Sequence, residues 1–188
     1  PLVRVEHDSH GETDLEVLLL DSARQHVVAR LVEPNRLDWD AIYVTRLAFD
    51  TAPYRLRGDD LAFGVRISRR NGSRMNPFAE AELTLYELHE QGLRSLMGAL
   101  VVESFGGERD DDCIASFGEA KGVLIVTGKV GRDGYRDLLF KRTHTGRRMV
   151  TVDGECRTLE DEPRSDQFRL EYGDERYLLP IELVSDPL

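Results

Sequence analysis

At 188 residues the chain is long enough to bury a real core in one domain, and its 40% hydrophobic and 32% charged content excludes a disordered polymer. A formal charge of −10 makes the average surface repel nucleic acid and anionic membrane, leaving a basic protein as the class of partner it does not repel. We therefore read one β-rich domain over 1–188, with a sub-boundary left open near Gly106.

The first third reads as strands. Leu15, Val17 and Leu19 alternate with Glu16, Leu18 and Leu20; a second apolar run covers 27–32; Tyr43, Thr45, Leu47 and Phe49 share a face of a third. Leu61, Phe63, Val65 and Ile67 alternate with Ala62, Gly64, Arg66 and Ser68, the period of two that marks a half-buried strand. Asn71-Gly72 then suits a tight turn or the loop that follows.

Next, Ala79, Ala81 and Leu83 alternate as a strand over 78–83, after which the spacing changes. Leu85, Leu88, Leu93, Leu96, Met97 and Leu100 recur at threes and fours, which predicts an amphipathic helix from about Thr84 to the Gly106-Gly107 pair. Beyond it, Asp133-Gly134, Thr145-Gly146, Asp153-Gly154 and Gly173-Asp174 punctuate apolar runs and predict a meander of antiparallel strands. The expected fold is thus α+β: about ten antiparallel strands with one principal helix packed on a sheet.

Cys113 and Cys156 belong to no Cys-x-x-Cys pair and are too few for a disulfide framework, so reduced thiols in a cytoplasmic protein are expected. No apolar run is long enough to span a bilayer as a helix, and no basic stretch followed by an apolar one stands at the start, so no signal peptide is expected, with a processed precursor as the alternative because the sequence starts at Pro1. Only three of the 25 basic residues are lysines (Lys121, Lys129, Lys141), a bias typical of GC-rich prokaryotic genomes. Gly-x-Ser-x-Gly, phosphate-loop and dinucleotide fingerprints are absent, and no cofactor is expected.

Four groups of residues carry candidate chemistry. His7 and His10, among Asp8, Glu12 and Asp14, offer borderline ligands to a divalent metal; a solvated segment is the alternative. Arg66, Arg69, Arg70 and Arg74 near one turn, and Lys141, Arg142, His144, Arg147 and Arg148 around the expected Thr145-Gly146 turn, would form a positive patch if they came together. Asp38 and Asp40 beside Trp39 and Tyr43, with Glu33, Asp59 and Asp60, would make a negative surface with aromatic anchors for a basic partner. Lone His89, among leucines, reads as a boundary residue.

The fourth group is Asp110, Asp112, Glu119 and Lys121. This Asp…Glu-x-Lys order resembles the PD-(D/E)xK nuclease family, which implies carboxylates holding a metal and a lysine supporting the attacking water. The chain departs from that pattern where Ser116 and Gly118 interrupt the strand and where a strand, instead of a helix, is expected to follow. The segment 37–43, followed by strands, the expected leucine helix and a meander, also resembles small bacterial immunity proteins, which neutralise a toxin by covering its active site. The residues favour a non-catalytic module that binds another protein. A metal-dependent hydrolase, and an assembly subunit that oligomerises through sheet edges, stand as the alternatives.

Overall fold

The computed structural model describes residues 11–21, 23–24, 26–58, 60–90, 92–110 and 113–184, with the backbone alone for Trp39 and Leu61. The strands are β1 (Gly11–Asp21), β2 (His26–Trp39), β3 (Ile42–Arg57), β4 (Asp60–Asn71), β5 (Phe78–His89), β6 (Gly92–Arg109), β7 (Ala115–Val130), β8 (Arg136–Val152), β9 (Glu155–Glu160), β10 (Arg164–Leu170), β11 (Tyr172–Gly173) and β12 (Arg176–Tyr177). They follow chain order through a single sheet from β1 to β8. Both β9 and β10 then pair with β8, while β12 joins β6 by a parallel bridge, Tyr177 to Met97. The helical content among the described residues is two 3-10 turns, Arg132–Gly134 and Ile181–Leu183.

The expected amphipathic helix is therefore a β-hairpin, and the fold is nearly all sheet instead of α+β. Its register explains the misleading spacing. Leu83 and Leu85 pair with Leu100 and Met97, so three residues of β6 answer two of β5; Leu85 and Tyr86 then pair with Met97 and Ser95. Each extra residue is a bulge that shifts the alternation by one place. A period of two broken twice in this way brings Leu93, Leu96, Met97 and Leu100 to threes and fours, and all four are buried. Glu90, at φ 52°, begins the tight turn between the strands, and Leu88, counted in the supposed stripe, is exposed.

Two further expectations change. Thr145-Gly146 makes no turn: β8 runs through it, with Gly146 opposite Gly118 of β7. A Cβ on Gly146 would come within 2.5 Å of an Asp161 carboxylate oxygen, and the Asp161 amide donates to the Gly146 carbonyl. Glycine stands there because the chain crosses closely as β8 exchanges β9 for β10 as its neighbour. Cys113 and Cys156, 43 positions apart, form a disulfide with Cα atoms 5.2 Å apart, correcting the reduced-thiol expectation.

β5 organises the core because it is covered on both sides from Ala81 to Glu87. Leu83 and Leu85 enter a cluster with Tyr54, Leu56, Leu100, Tyr135, Phe140, Leu170 and Tyr177. Tyr86, with Val65 and Ile67 of β4, enters a second cluster completed by Leu15 and Val17 of β1 and Ala29 and Leu37 of β2. The β1–β2 hairpin reaches that position by leaving the sheet's path: β2 meets β3 only at Trp39 and Tyr43. Within the hairpin, Asn35 takes φ 51° after Pro34, and its amide donates to the Asp14 carboxylate at 3.0 Å. Each large aliphatic side chain buried there contributes about 1.5–3 kcal/mol, so packing, with little backbone pairing, holds the hairpin down.

Candidate functional site

The alternation read in β1 is complete in the structure. Leu15 and Val17 are buried, whereas Glu12, Asp14, Glu16, Leu18 and Leu20 are all exposed on the other face. That face is acidic toward Gly11 and apolar toward Asp21. Glu12 stands directly opposite Asp38 of β2, a like-charge pairing that works against the hairpin. Glu16 is bridged by Arg30, but both side chains are largely in solvent, where such a pair contributes little. Asp38 reaches Arg69 at 3.6 Å. The acidic residues expected around Trp39 thus continue onto β1, which the sequence reading had separated from them.

β1 ends the sheet, and among the described residues no strand pairs with its outer edge. Beside it lies a cleft of about 310 Å³ lined by Leu15, Val17, Leu18, Leu20, Leu47 and Phe49. Its far wall is β3, whose side toward β2 carries no ladder beyond Tyr43 until the Arg57–Tyr135 bridge. Leu20 and Phe49 are 57% and 59% exposed, which is unusual for side chains of this size beside one another.

A larger groove of about 800 Å³ crosses β6, β7, β8 and β10. Gly106, Gly118 and Gly146 lie abreast beneath it. Ser104, Ser116, His144, Asp161, Glu162, Arg164 and Asp166 are among its lining residues. Its charges are mostly spent on one another. Asp166 accepts from Arg142 at 3.0 Å and sits 3.1 Å from His144 Nε2; Asp161 is 3.3 Å from Arg148. The bond from Arg142, helped by His144 and opposed by desolvation, holds the Asp166 carboxyl below its ordinary range. His144 has its acid in Asp166, and among the described residues no serine or cysteine is hydrogen-bonded to its ring.

The basic residues read from the sequence are dispersed by the strands that carry them. Arg69 is buried and donates to Glu82 at 2.6 Å. Arg66 is paired with Asp50 at 2.7 Å. Arg70 lies 5.9 Å over the Tyr43 ring, and Arg147 5.2 Å over Phe117. Lys141, Arg142, Arg147 and Arg148 line the middle of β8, where no hairpin tip exists, and successive residues alternate between its faces.

The nuclease-like set is also spread out. Glu119 and Lys121 are exposed, paired with each other at 2.5 Å, and Glu119 lies opposite Phe105. Asp110 stands five positions beyond Phe105, about 17 Å along an extended chain, too far to share a metal ion with Glu119. Asp112, His7 and His10 lie outside the described residues. Among the described residues no group of three His, Cys, Asp or Glu is placed to hold a metal.

Sequence reasoning missed the polar cluster inside the core. Glu87 accepts from Arg94 at 2.7 Å and from the Tyr135 hydroxyl at 2.6 Å; Arg94 also donates to the Tyr172 oxygen at 3.0 Å. Tyr135 stacks on Tyr172 with ring centres 3.8 Å apart. Burial, aided by the Glu87 carboxylate, pushes the Tyr135 hydroxyl well above its ordinary range, so it stays a donor. Its members are hydrogen-bonded to one another within the core, which reads as a structural device. Glu87 followed by Arg94 across a hairpin turn was the available signal, hidden once the segment was read as a helix.

No protein-family model, curated protein or solved structure matches the chain.

Proposed function

We propose that this chain is a non-catalytic module that binds another protein, and that its recognition surface is the β1–β2 hairpin with the cleft beside it. The observation that carries this is the coincidence on one element of exposed leucines, a row of carboxylates and a strand edge that no other strand among the described residues pairs. Protein interfaces combine an apolar centre with a charged rim that steers the encounter, and this surface has both. The partner is basic on the facing side, as a net charge of −10 also favours. The disulfide fits an oxidising compartment better than the cytoplasm expected from the cysteine count.

Affinity capture tests the reading. Wild-type protein and the Leu18→Glu/Leu20→Lys variant, both shown to be folded, are used as baits in extract from the native host. A basic protein retained in stoichiometric amount by the wild type and lost from the variant is expected. Equal retention by both baits places recognition elsewhere, and no stoichiometric retention by either refutes a protein-binding role.

A further inference from the structure

We infer that the partner binds by strand addition: an extended segment, apolar on one face and basic on the other, joins the outer edge of β1 and closes the cleft against β3. This rests on the protein-binding reading above and specifies its geometry.

The backbone supplies the first reason. A terminal strand with no ladder on one side presents a row of N–H and C=O groups spaced for another strand. Such edges are commonly protected by lysines, an outward proline or a bulge that twists the edge away. β1 has no lysine, arginine or proline in its sequence, and it pairs with β2 along nearly its whole length; the two register shifts, at Thr13/Leu15 and Leu19/Leu20, put their extra residues on β2, so the alternation of β1 itself is unbroken.

The side chains define the occupant. In an added strand, successive residues point to opposite faces and lie beside their neighbours on β1. The cleft runs along the edge of β1 and is lined from both of its faces, by Leu15 and Val17 and by Glu16, Leu18 and Leu20, with Leu47 and Phe49 opposite; residues of the added strand beside Leu15 and Val17 continue the buried face, so they are apolar. Residues on the other face lie beside Glu12, Asp14 and Glu16, then Leu18 and Leu20. Lysine or arginine there meets the carboxylates, and its methylene stem covers the leucines. It also relieves the repulsion of Glu12 by Asp38, which nothing on β1 offsets.

The same composition argues against a second copy of this chain as the occupant. β1 contains four acids and no base. Pairing β1 with β1 in either direction sets carboxylates against carboxylates or leucines. The cleft also needs filling: Phe49 and Leu20, on its two walls, stay exposed unless an added strand covers them.

The experiment uses the full chain and a synthetic seven-residue peptide of alternating valine and lysine, read by fluorescence anisotropy and by amide hydrogen exchange. Saturable binding is expected, with slowed exchange confined to β1 and to β3 near Leu47–Phe49. Replacing lysine by glutamate in the peptide, or making Glu12→Lys/Asp14→Lys/Glu16→Lys in the protein, should weaken binding about tenfold or more, because like charges then face one another. A peptide N-methylated at alternate residues loses its edge donors and should also bind about tenfold more weakly. Binding without slowed exchange in β1 overturns strand addition while leaving a protein-binding surface intact. No saturable binding overturns the strand-addition proposal, and the capture experiment decides the wider reading separately. A dimer of the free protein whose β1 amides are already protected would replace the proposed occupant with a second copy.

Discussion

Breaking the Cys113–Cys156 bond has an effect that can be worked out from the fold. The bond ties the β6–β7 connection to β9 and closes a loop of 43 positions. In the chain-entropy account, closing such a loop removes about 13 cal/mol/K from the unfolded ensemble, or about 4 kcal/mol at 25 °C. For a chain of this size each kcal/mol moves the midpoint by roughly 2–4 °C, so the double variant Cys113→Ser/Cys156→Ser should melt roughly 8–16 °C below the wild type. Circular dichroism in the β-sheet band follows the transition, and wild type in a phosphine reductant should match the variant. The variant itself should be insensitive to reductant. Two titratable thiols in the unreduced native protein, or equal midpoints for wild type and variant, would refute the argument.

Three other outcomes follow from the core and the strands. Glu82→Ala leaves Arg69 buried and short of its closest carboxylate, which should cost about 3–5 kcal/mol in urea unfolding; the loss shrinks if Arg69→Met is added. Burial raises the Glu82 and Asp137 carboxyls, yet Arg36 and Arg69 on one, and Arg169 and Lys129 on the other, outweigh it and hold both below their ordinary values of 4.5 and 3.8. A carboxyl with a depressed folded pKa stabilises fully above its ordinary value and loses that contribution as pH falls through the folded one. Stability measured by denaturant midpoint should therefore decline below about pH 4.5, and Glu82→Gln should flatten that decline. Lastly, a Cβ on Gly122 would lie 2.1 Å from the Phe140 ring, whereas one on Gly118 meets nothing within 4 Å. Gly122→Ala should cost about 1–3 kcal/mol by overpacking, while Gly118→Ala should be neutral or gain about 0.5–1 kcal/mol.

How much of this was legible in the sequence depends on whether the signal was local. The alternation of β1, and of β4 from Val65 onward, survives into the structure because each has one more deeply buried face there, and a period of two needs no knowledge of neighbours. The β5–β6 hairpin was lost because its three register shifts come from pairing with another strand, and the two that fall between Leu93 and Leu100 change the period seen along the chain. Thr145-Gly146 has the composition of a turn, yet its glycine answers to Asp161, a contact made only when β9 and β10 are in place. The disulfide was hidden for the same reason, its partners being near only in the folded state. As for the candidate site, the exposed leucines and carboxylates of β1 were readable, and Asp38 was already set among acids. That β1 ends the sheet was not readable, because an edge is defined by strand order and by nothing within the strand itself.

The single backbone pair between Trp39 and Tyr43 also bears on how the molecule comes apart. Almost every main-chain bond of β1 and β2 is to the other member of the hairpin. The ribbon can lift away intact, forfeiting its apolar contacts with β4 and β5 and the bonds of Arg36 to Glu82 and of Tyr86 to Glu33, but scarcely any ladder. It should open as a hinged leaf, ahead of the rest as denaturant is added, while the strands beyond Ile42 keep their own pairing.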